Sequence, residues 1–128
     1  MNLKCALASL LLLTLLTGAA ILGRRYVDET CASALDTISA ANLLADEEKY
    51  EEAQALLRDL REELESRRTV TDMLLHHGYL ESVRASLSRA CLAASLENGE
   101  TLRVELANAA TELDAIAERD RLTLENIF

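Results

Sequence analysis

The stretch CALASLLLLTLLTGAAILG, from Cys5 to Gly23, decides the fold because it is apolar and carries no charged side chain. As a helix that rises about 1.5 Å per residue it is about 28 Å long, close to the ~30 Å hydrocarbon core of a bilayer. We therefore predict an N-terminal membrane anchor over residues 1–23, with residues 5–23 in the membrane. A cleaved signal peptide, with Lys4 as its charged residue and Gly18-Ala19-Ala20 as a weak cleavage site, is the alternative, but the length of the apolar run favours the anchor.

Acidic residues dominate the chain after the anchor. From Tyr26 onward there are 10 basic and 22 acidic residues, which gives a net charge of −12. Because such a surface repels phosphate groups, we expect no nucleic-acid partner. Charge does not decide the orientation in the membrane, since the amino terminus and Lys4 on one side of the anchor nearly balance Arg24 and Arg25 on the other.

Residues 24–128 have the composition of an all-α domain. The chain has no proline, four glycines and 3 % aromatic residues. Alanine, leucine, glutamate and arginine dominate after the anchor, and all four are strong helix formers. Short connections make consecutive helices antiparallel. We therefore predict a single transmembrane helix followed by an antiparallel bundle of three or four helices.

Apolar residues at i, i+3, i+4 and i+7 predict where these helices lie. The first continues out of the anchor from Arg24 to about Leu44, and the second follows a break at Ala45-Asp46. The third runs from about Leu80 to Leu96, and the fourth from Glu100 to about Arg121. The residues predicted to face the core are Val27, Cys31, Ala34, Leu35, Ile38, Ala41, Tyr50, Ala53, Leu56, Leu57, Leu60, Leu64, Val83, Leu87, Ala90, Cys91, Ala94, Leu102, Leu106, Ala109, Leu113 and Ile116.

Three breaks separate the predicted helices. At the first, Asp46 is expected to cap the second helix, with Glu47-Glu48 in its first turn. Between Ser66 and Tyr79, Gly78 is the best single break, and Thr69 and Thr71 are candidate caps. The third break is the turn at Glu97-Asn98-Gly99, because Asn and Gly tolerate left-handed backbone angles.

The side chains that carry chemistry form no recognisable site. His76 and His77 point about 100° apart on a regular helix, so they cannot both bind one metal ion. We expect no metal, no cofactor and no enzymatic activity, because no serine or carboxylate pair stands in a catalytic arrangement. Cys31 and Cys91 have apolar neighbours at helical spacing, which favours core positions, and a disulfide between them is the alternative.

The stretch LTLENIF, at residues 122–128, is unusually apolar for a segment of this kind, since chain ends are usually polar. We predict that it docks against the membrane-proximal end of the bundle. The alternatives are a frayed end or a segment reserved for a partner or for the lipid interface. The residues predicted for docking or partner binding are Leu122, Leu124, Asn126, Ile127 and Phe128.

Three stretches accompany the single N-terminal span. They are YEEAQALL at Tyr50–Leu57, LLHHGYLESVRASLSR at Leu74–Arg89, and LTLENIF at Leu122–Phe128. Together they resemble a bacterial family catalogued as domain of unknown function 4363. The resemblance implies a short protein of endospore-forming bacteria whose helical domain lies outside the cytoplasmic membrane. It implies no catalytic residue, because the family has none assigned.

These observations predict a non-enzymatic, membrane-tethered helical module that serves as an interaction or accessory subunit for another membrane or envelope protein. The alternative is a bundle that binds or senses a small ligand between its helices. A large internal apolar pocket favours that alternative, whereas a solid, alanine-lined core favours the interaction module. An enzyme requires a pocket that gathers His76, His77, Asp72 and a serine.

Overall fold

A computed structural model describes residues 2–74 and 77–127, and for His77, Asp120 and residues 123–127 it describes the backbone alone. Every regular element in these ranges is an α-helix, which confirms the all-α class predicted from the composition. The helices are α1 (Leu3–Asp46), α2 (Tyr50–Ser66), α3 (Arg68–Leu74), α4 (His77–Ser95) and α5 (Gly99–Ile127).

The apolar stretch and the first helix of the domain form one helix, α1, which continues without a break for 44 residues. At about 1.5 Å per residue this helix is about 66 Å long. Its large apolar side chains from Leu3 to Leu22 are 56–73 % exposed, whereas from Val27 onward one stripe of α1 is buried. The predicted continuity is confirmed, and α1 is long and apolar enough to cross a membrane.

One core is enclosed by the four long helices. α1 and α4 each contact both α2 and α5. Nearly all the residues predicted to face the core are buried, because their helical spacing places them on one face. Three of the predicted residues are only half-buried: Leu35, Tyr50 and Leu56. Several residues outside the predicted stripes are also buried: Thr30, Ala45, Thr71, Leu80, Ser86 and Ala93.

The break between α1 and α2 differs from the prediction. Asp46 is the last residue of α1 rather than the cap of α2, and Glu47 and Glu48 lie in the connection. α2 begins after Lys49, whose side chain makes no capping hydrogen bond. The reason is that Ala45 is buried in the core, which extends α1, and Glu48 then turns the chain with a left-handed φ of 57°.

The segment between α2 and α4 contains a short helix that the sequence pattern did not predict. α3 follows α2 after the single residue Arg67. Thr71 does not cap a helix, because it is buried and its hydroxyl donates to the carbonyl oxygens of Arg67 and Arg68 at 2.9 and 3.1 Å. Gly78 is not the break either, since it lies in the first turn of α4.

The turn predicted between α4 and α5 is confirmed, although its residues have different roles. Glu97 takes the left-handed conformation, with a φ of 54°. Asn98 caps α5, since its side-chain oxygen accepts a hydrogen bond from the backbone N–H of Thr101 at 3.2 Å. Gly99 is the first residue of α5, and the helix continues to Ile127, beyond its predicted end.

α5 returns along α1. At one end of the pair, Arg103 Nη2 lies 2.5 Å from Asp46 Oδ1. At the other end, Arg24 and Arg121 line the same surface cleft. The last turns of α5 therefore lie beside the place where the apolar half of α1 ends, and we call this end of the domain the Gly23 end.

Candidate interaction surfaces

Arg67 joins the α2–α3 junction to α1 at the Gly23 end. Its Nη1 donates a hydrogen bond to Thr30 Oγ1 at 3.2 Å. Its guanidinium carbon lies 5.6 Å from the centroid of the Tyr26 ring, a cation–π contact. Glu63 Oε1 lies 3.1 Å from the same guanidinium. These contacts fix where α3 begins along α1, at the level of Tyr26 and Thr30.

Leu74 marks where α3 ends along α1. A Cβ atom built on Gly23 would lie 3.0 Å from Leu74 Cδ2, so the end of the Leu74 side chain packs closely on the backbone of Gly23. The 7 residues of α3 are about 10 Å long. The rise along α1 between Thr30 and Gly23 is also about 10 Å. α3 therefore lies beside α1 and reaches the last residue of its uncharged stretch.

The apolar side of α3 is exposed at this level. Val70, Met73 and Leu74 are 44, 81 and 42 % exposed, and their i, i+3, i+4 spacing puts them on one face. We call these three residues the α3 patch. The two residues before Gly23 in α1, Ile21 and Leu22, are 56 and 67 % exposed. The α3 patch therefore lies at the level along α1 where its exposed apolar half ends. In the sequence, only the i, i+3, i+4 spacing of Val70, Met73 and Leu74 indicates the α3 patch.

Arg68 lies at the centre of an ion-pair network beside the α3 patch. Its guanidinium nitrogens lie 3.3 Å from Glu65, 3.5 Å from Asp72 and 3.8 Å from Glu81. The hydrogen bond with Glu65 raises the pKa of Arg68 above its ordinary value, so the arginine stays charged. Arg84 pairs with both Glu65 and Glu81. The acidic side chains next to the α3 patch are thus compensated by arginines.

A second candidate surface is a cleft of about 180 Å³ between α4 and α5. Tyr79 and Ser82 line it from α4, and Glu112 and Arg119 line it from α5. The guanidinium carbon of Arg119 lies 4.7 Å from the centroid of the Tyr79 ring. The cleft thus offers an aromatic face, a cation, a carboxylate and a hydroxyl, which suits polar recognition of a peptide or protein surface.

A polar chain continues from this cleft into the α4–α5 contact. Ser86 is fully buried, and its hydroxyl donates to Glu112 Oε2 at 3.3 Å while it accepts a hydrogen bond from Arg89 at 3.2 Å. Arg89 also donates to Glu105 Oε2 at 3.0 Å. A hydroxyl held in this way joins two helices, and its burial keeps it away from any substrate.

The predicted tail residues are described only in part. Leu122 is 47 % exposed near the end of α5. The side chains of Leu124, Asn126 and Ile127 lie outside the described ones, and Phe128 lies outside the described residues altogether. Docking of this segment therefore stays a prediction.

The residues considered for chemistry do not meet in the described part of the molecule. His76 and the side chain of His77 lie outside it, and Asp72 pairs with Arg68. Among the described side chains, no three His, Cys, Asp or Glu are grouped as a metal ion requires. Cys31 and Cys91 are both buried thiols, which confirms their core positions.

The interior leaves little room for a ligand where the helices meet at the Gly23 end. A cavity of about 10 Å³ lies there, bordered by Val27 and Leu64 among others. This volume is about that of one probe sphere the size of water.

Comparison with known proteins supports one relationship. No curated protein and no solved structure matches this chain. The family model described as "Domain of unknown function (DUF4363)" matches residues 21–127, which include the domain half of α1 and all of α2, α3, α4 and α5. The matched residues thus coincide with the helices that share the core, and the chain belongs to the DUF4363 family.

Proposed function

We propose that this protein is a non-enzymatic, membrane-tethered helical module that lies outside the cytoplasmic membrane and acts as an interaction or accessory subunit for another membrane or envelope protein. Residues 5–23 cross the membrane, and residues 24–128 form an antiparallel bundle that stands on the crossing helix. The observation that carries the proposal is the unbroken helix α1, exposed and apolar in its first half and packed in the core in its second.

The packed interior favours this function over the binding of a small ligand. Ligand pockets usually enclose about 300–1,000 Å³. The core cavity at the Gly23 end has about 10 Å³, and the cleft between α4 and α5 has about 180 Å³. Two larger clefts, of about 350 and 480 Å³, lie on the surface and are lined mainly by charged side chains rather than by the apolar ones that ligand pockets usually present. Alanines at the helix contacts, such as Ala41, Ala90 and Ala109, bring the helices together and leave little space between them.

The cleft between α4 and α5 is the surface we propose for the partner. Tyrosine and arginine are enriched among the residues that dominate binding energy at protein interfaces, and Tyr79 and Arg119 lie together there. The acidic character of the domain adds selectivity, because a partner with a basic surface is attracted and an acidic one is repelled.

Site-specific crosslinking in cells tests this proposal. A photoreactive amino acid replaces Ser82, which is exposed and lines the cleft, and crosslinked partners are identified by mass spectrometry. We expect one dominant membrane or envelope protein, lost in an Arg119→Glu background. The matched control is Arg61→Glu, because Arg61 is exposed on a different cleft, between α2 and α4. A chain that never crosslinks to another protein would contradict the accessory role.

Orientation and anchoring need separate measurements. A reporter that is active only outside the cytoplasmic membrane is fused after Phe128, and we expect it to be active. Activity of a cytoplasm-only reporter at the same position would reverse the topology. The mass of the mature chain from membranes tests whether the anchor is retained, since a cleaved signal peptide removes about the first 20 residues.

We also propose that the segment from Leu122 to Phe128 docks at the Gly23 end, where α5 arrives beside α1. Burial of one large apolar side chain stabilises a fold by about 1.5–3 kcal/mol. Deletion of residues 126–128 is therefore expected to lower the thermal midpoint of the domain. An unchanged midpoint, together with loss of the Ser82 crosslink, would assign this segment to the partner instead.

A further inference from the structure

We propose that the α3 patch, formed by Val70, Met73 and Leu74, inserts into the surface of the same bilayer that α1 crosses. This inference rests on the proposed crossing by α1 and adds a second membrane contact, which the helical domain makes itself. The occupant is the lipid bilayer, recognised by the apolar character of the three side chains rather than by a specific headgroup.

The position of α3 along α1 sets the depth of the α3 patch. Gly23 is the last residue of the uncharged stretch, so it lies at the edge of the hydrocarbon if residues 5–23 fill the membrane. Leu74 packs on Gly23, and Met73 is adjacent to Leu74 in α3. The patch is therefore held within one helical turn of the hydrocarbon edge. This places its side chains at the boundary between the lipid headgroups and the acyl chains.

The exposure of the α3 patch is explained by a lipid environment. Met73 is 81 % exposed, whereas Thr71 on the other side of α3 is 2 % exposed and packs in the core. α3 thus directs its polar threonine inward and its methionine outward, which reverses the usual arrangement of a helix in water. In a bilayer this arrangement is favourable, because the exposed side chains of the α3 patch then contact apolar acyl chains instead of water.

The charges around the α3 patch permit this contact. The domain as a whole is acidic and is repelled by an anionic membrane surface. Near the patch, however, Arg68 pairs with Asp72, and Arg24 Nε lies 3.7 Å from Asp28 Oδ2. Paired charges of opposite sign are well placed at the level of the lipid headgroups, and arginine side chains extend readily into that region.

Single tryptophans test the depth of the patch, because the protein has no tryptophan of its own. The full-length chain is reconstituted at high dilution into phosphatidylcholine vesicles whose acyl chains carry bromine near the headgroup, a short-range quencher. The test variants are Met73→Trp and Val70→Trp. Leu92→Trp is the matched control outside the membrane, since Leu92 is 60 % exposed on α4 at a distance from the Gly23 end. Leu12→Trp is the control within the crossing segment.

We expect brominated lipid to reduce the emission of Met73→Trp and Val70→Trp relative to unbrominated lipid, because both tryptophans would then lie within the short range of the bromine. Leu92→Trp should lose no emission, and Leu12→Trp should be quenched more strongly by bromine placed deeper in the chains. A thermal midpoint equal to that of the unmodified chain confirms that each variant is folded.

Two results would overturn the inference and separate it from the proposed anchor. If Leu12→Trp is quenched but Met73→Trp behaves like Leu92→Trp, α1 crosses the bilayer and the α3 patch does not enter it. If the Met73→Trp emission is protected from water only at high protein density, without quenching by bromine, a second copy of the chain covers the patch. If Leu12→Trp is not quenched even by bromine placed deep in the acyl chains, the membrane crossing itself is wrong.

Discussion

Replacement of Leu57 by alanine removes a side chain that is fully buried, at 0 % exposure, where α2 enters the core. The adjacent Leu56 offers a matched control, because the same substitution there changes the same residue type in the same helix at a half-buried position. Both changes raise helix propensity equally, since alanine is the best helix former. The difference between the two variants therefore isolates burial.

The magnitude follows from the packing around Leu57. Loss of a buried leucine costs its transfer free energy plus the cost of the cavity it leaves, which together amount to about 2–5 kcal/mol. Several residues of the same core are alanines, such as Ala41 and Ala90, and these have no rotatable side chain that could fill the space. We therefore expect about 3–4 kcal/mol for Leu57→Ala and about 1 kcal/mol for Leu56→Ala.

The buried cysteines provide the assay. Cys31 and Cys91 are 5 and 8 % exposed, so they react with a water-soluble maleimide only when the domain unfolds. Exposed Cys5 is replaced by serine to remove the background. With a denaturant slope of about 2 kcal/mol per molar urea, typical of small domains, Leu57→Ala should shift the labelling midpoint by about 1.5–2 M. Leu56→Ala should shift it by about 0.5 M.

Equal midpoint shifts for the two variants would refute this reasoning, because they would mean that Leu56 is as deeply packed as Leu57. Complete labelling of Cys31 and Cys91 without urea would refute it more generally, since both thiols would then be accessible in the native domain.

Three further substitutions have expected effects on the same urea midpoint. Gly99→Ala places a Cβ 2.8 Å from the Tyr50 hydroxyl and should lower the free energy of unfolding by about 1 kcal/mol. Adding Tyr50→Phe should restore this stability, because the remaining ring atoms lie 3.7 Å from that Cβ. A loss that persists in the double variant would contradict the contact. Ser86→Ala removes a buried hydroxyl that hydrogen-bonds to Arg89 in α4 and Glu112 in α5, and it should cost about 1 kcal/mol of stability. An unchanged urea midpoint would mean that these hydrogen bonds do not stabilise the domain. Arg103→Gln removes the exposed ion pair with Asp46 and should cost about 0.2–1 kcal/mol of stability at low salt and nothing in high salt. A larger loss that does not depend on salt would mean that the pair is not solvent-exposed.

The chain by itself determined the helices and most of their buried faces. Residues such as Leu102, Leu106 and Leu113 are buried as predicted, because the period of an α-helix is a local property that any aligned set of apolar residues reveals. The continuity of α1 across Gly23 and Arg24 was predictable for the same reason, since the helical spacing resumes at Val27 and no proline interrupts it. The family relationship was likewise predictable from short stretches of sequence.

Only the tertiary structure decided where the helices stop and which surfaces they form. α1 continues to Asp46 because Ala45 is buried by other helices, a fact that no local pattern contains. Arg119 lies over Tyr79 across two different helices, and Leu74 packs on Gly23 from a part of the chain about fifty residues away. Such contacts depend on how helices cross, and crossing is set by the packing of whole faces rather than by the spacing of residues along one helix.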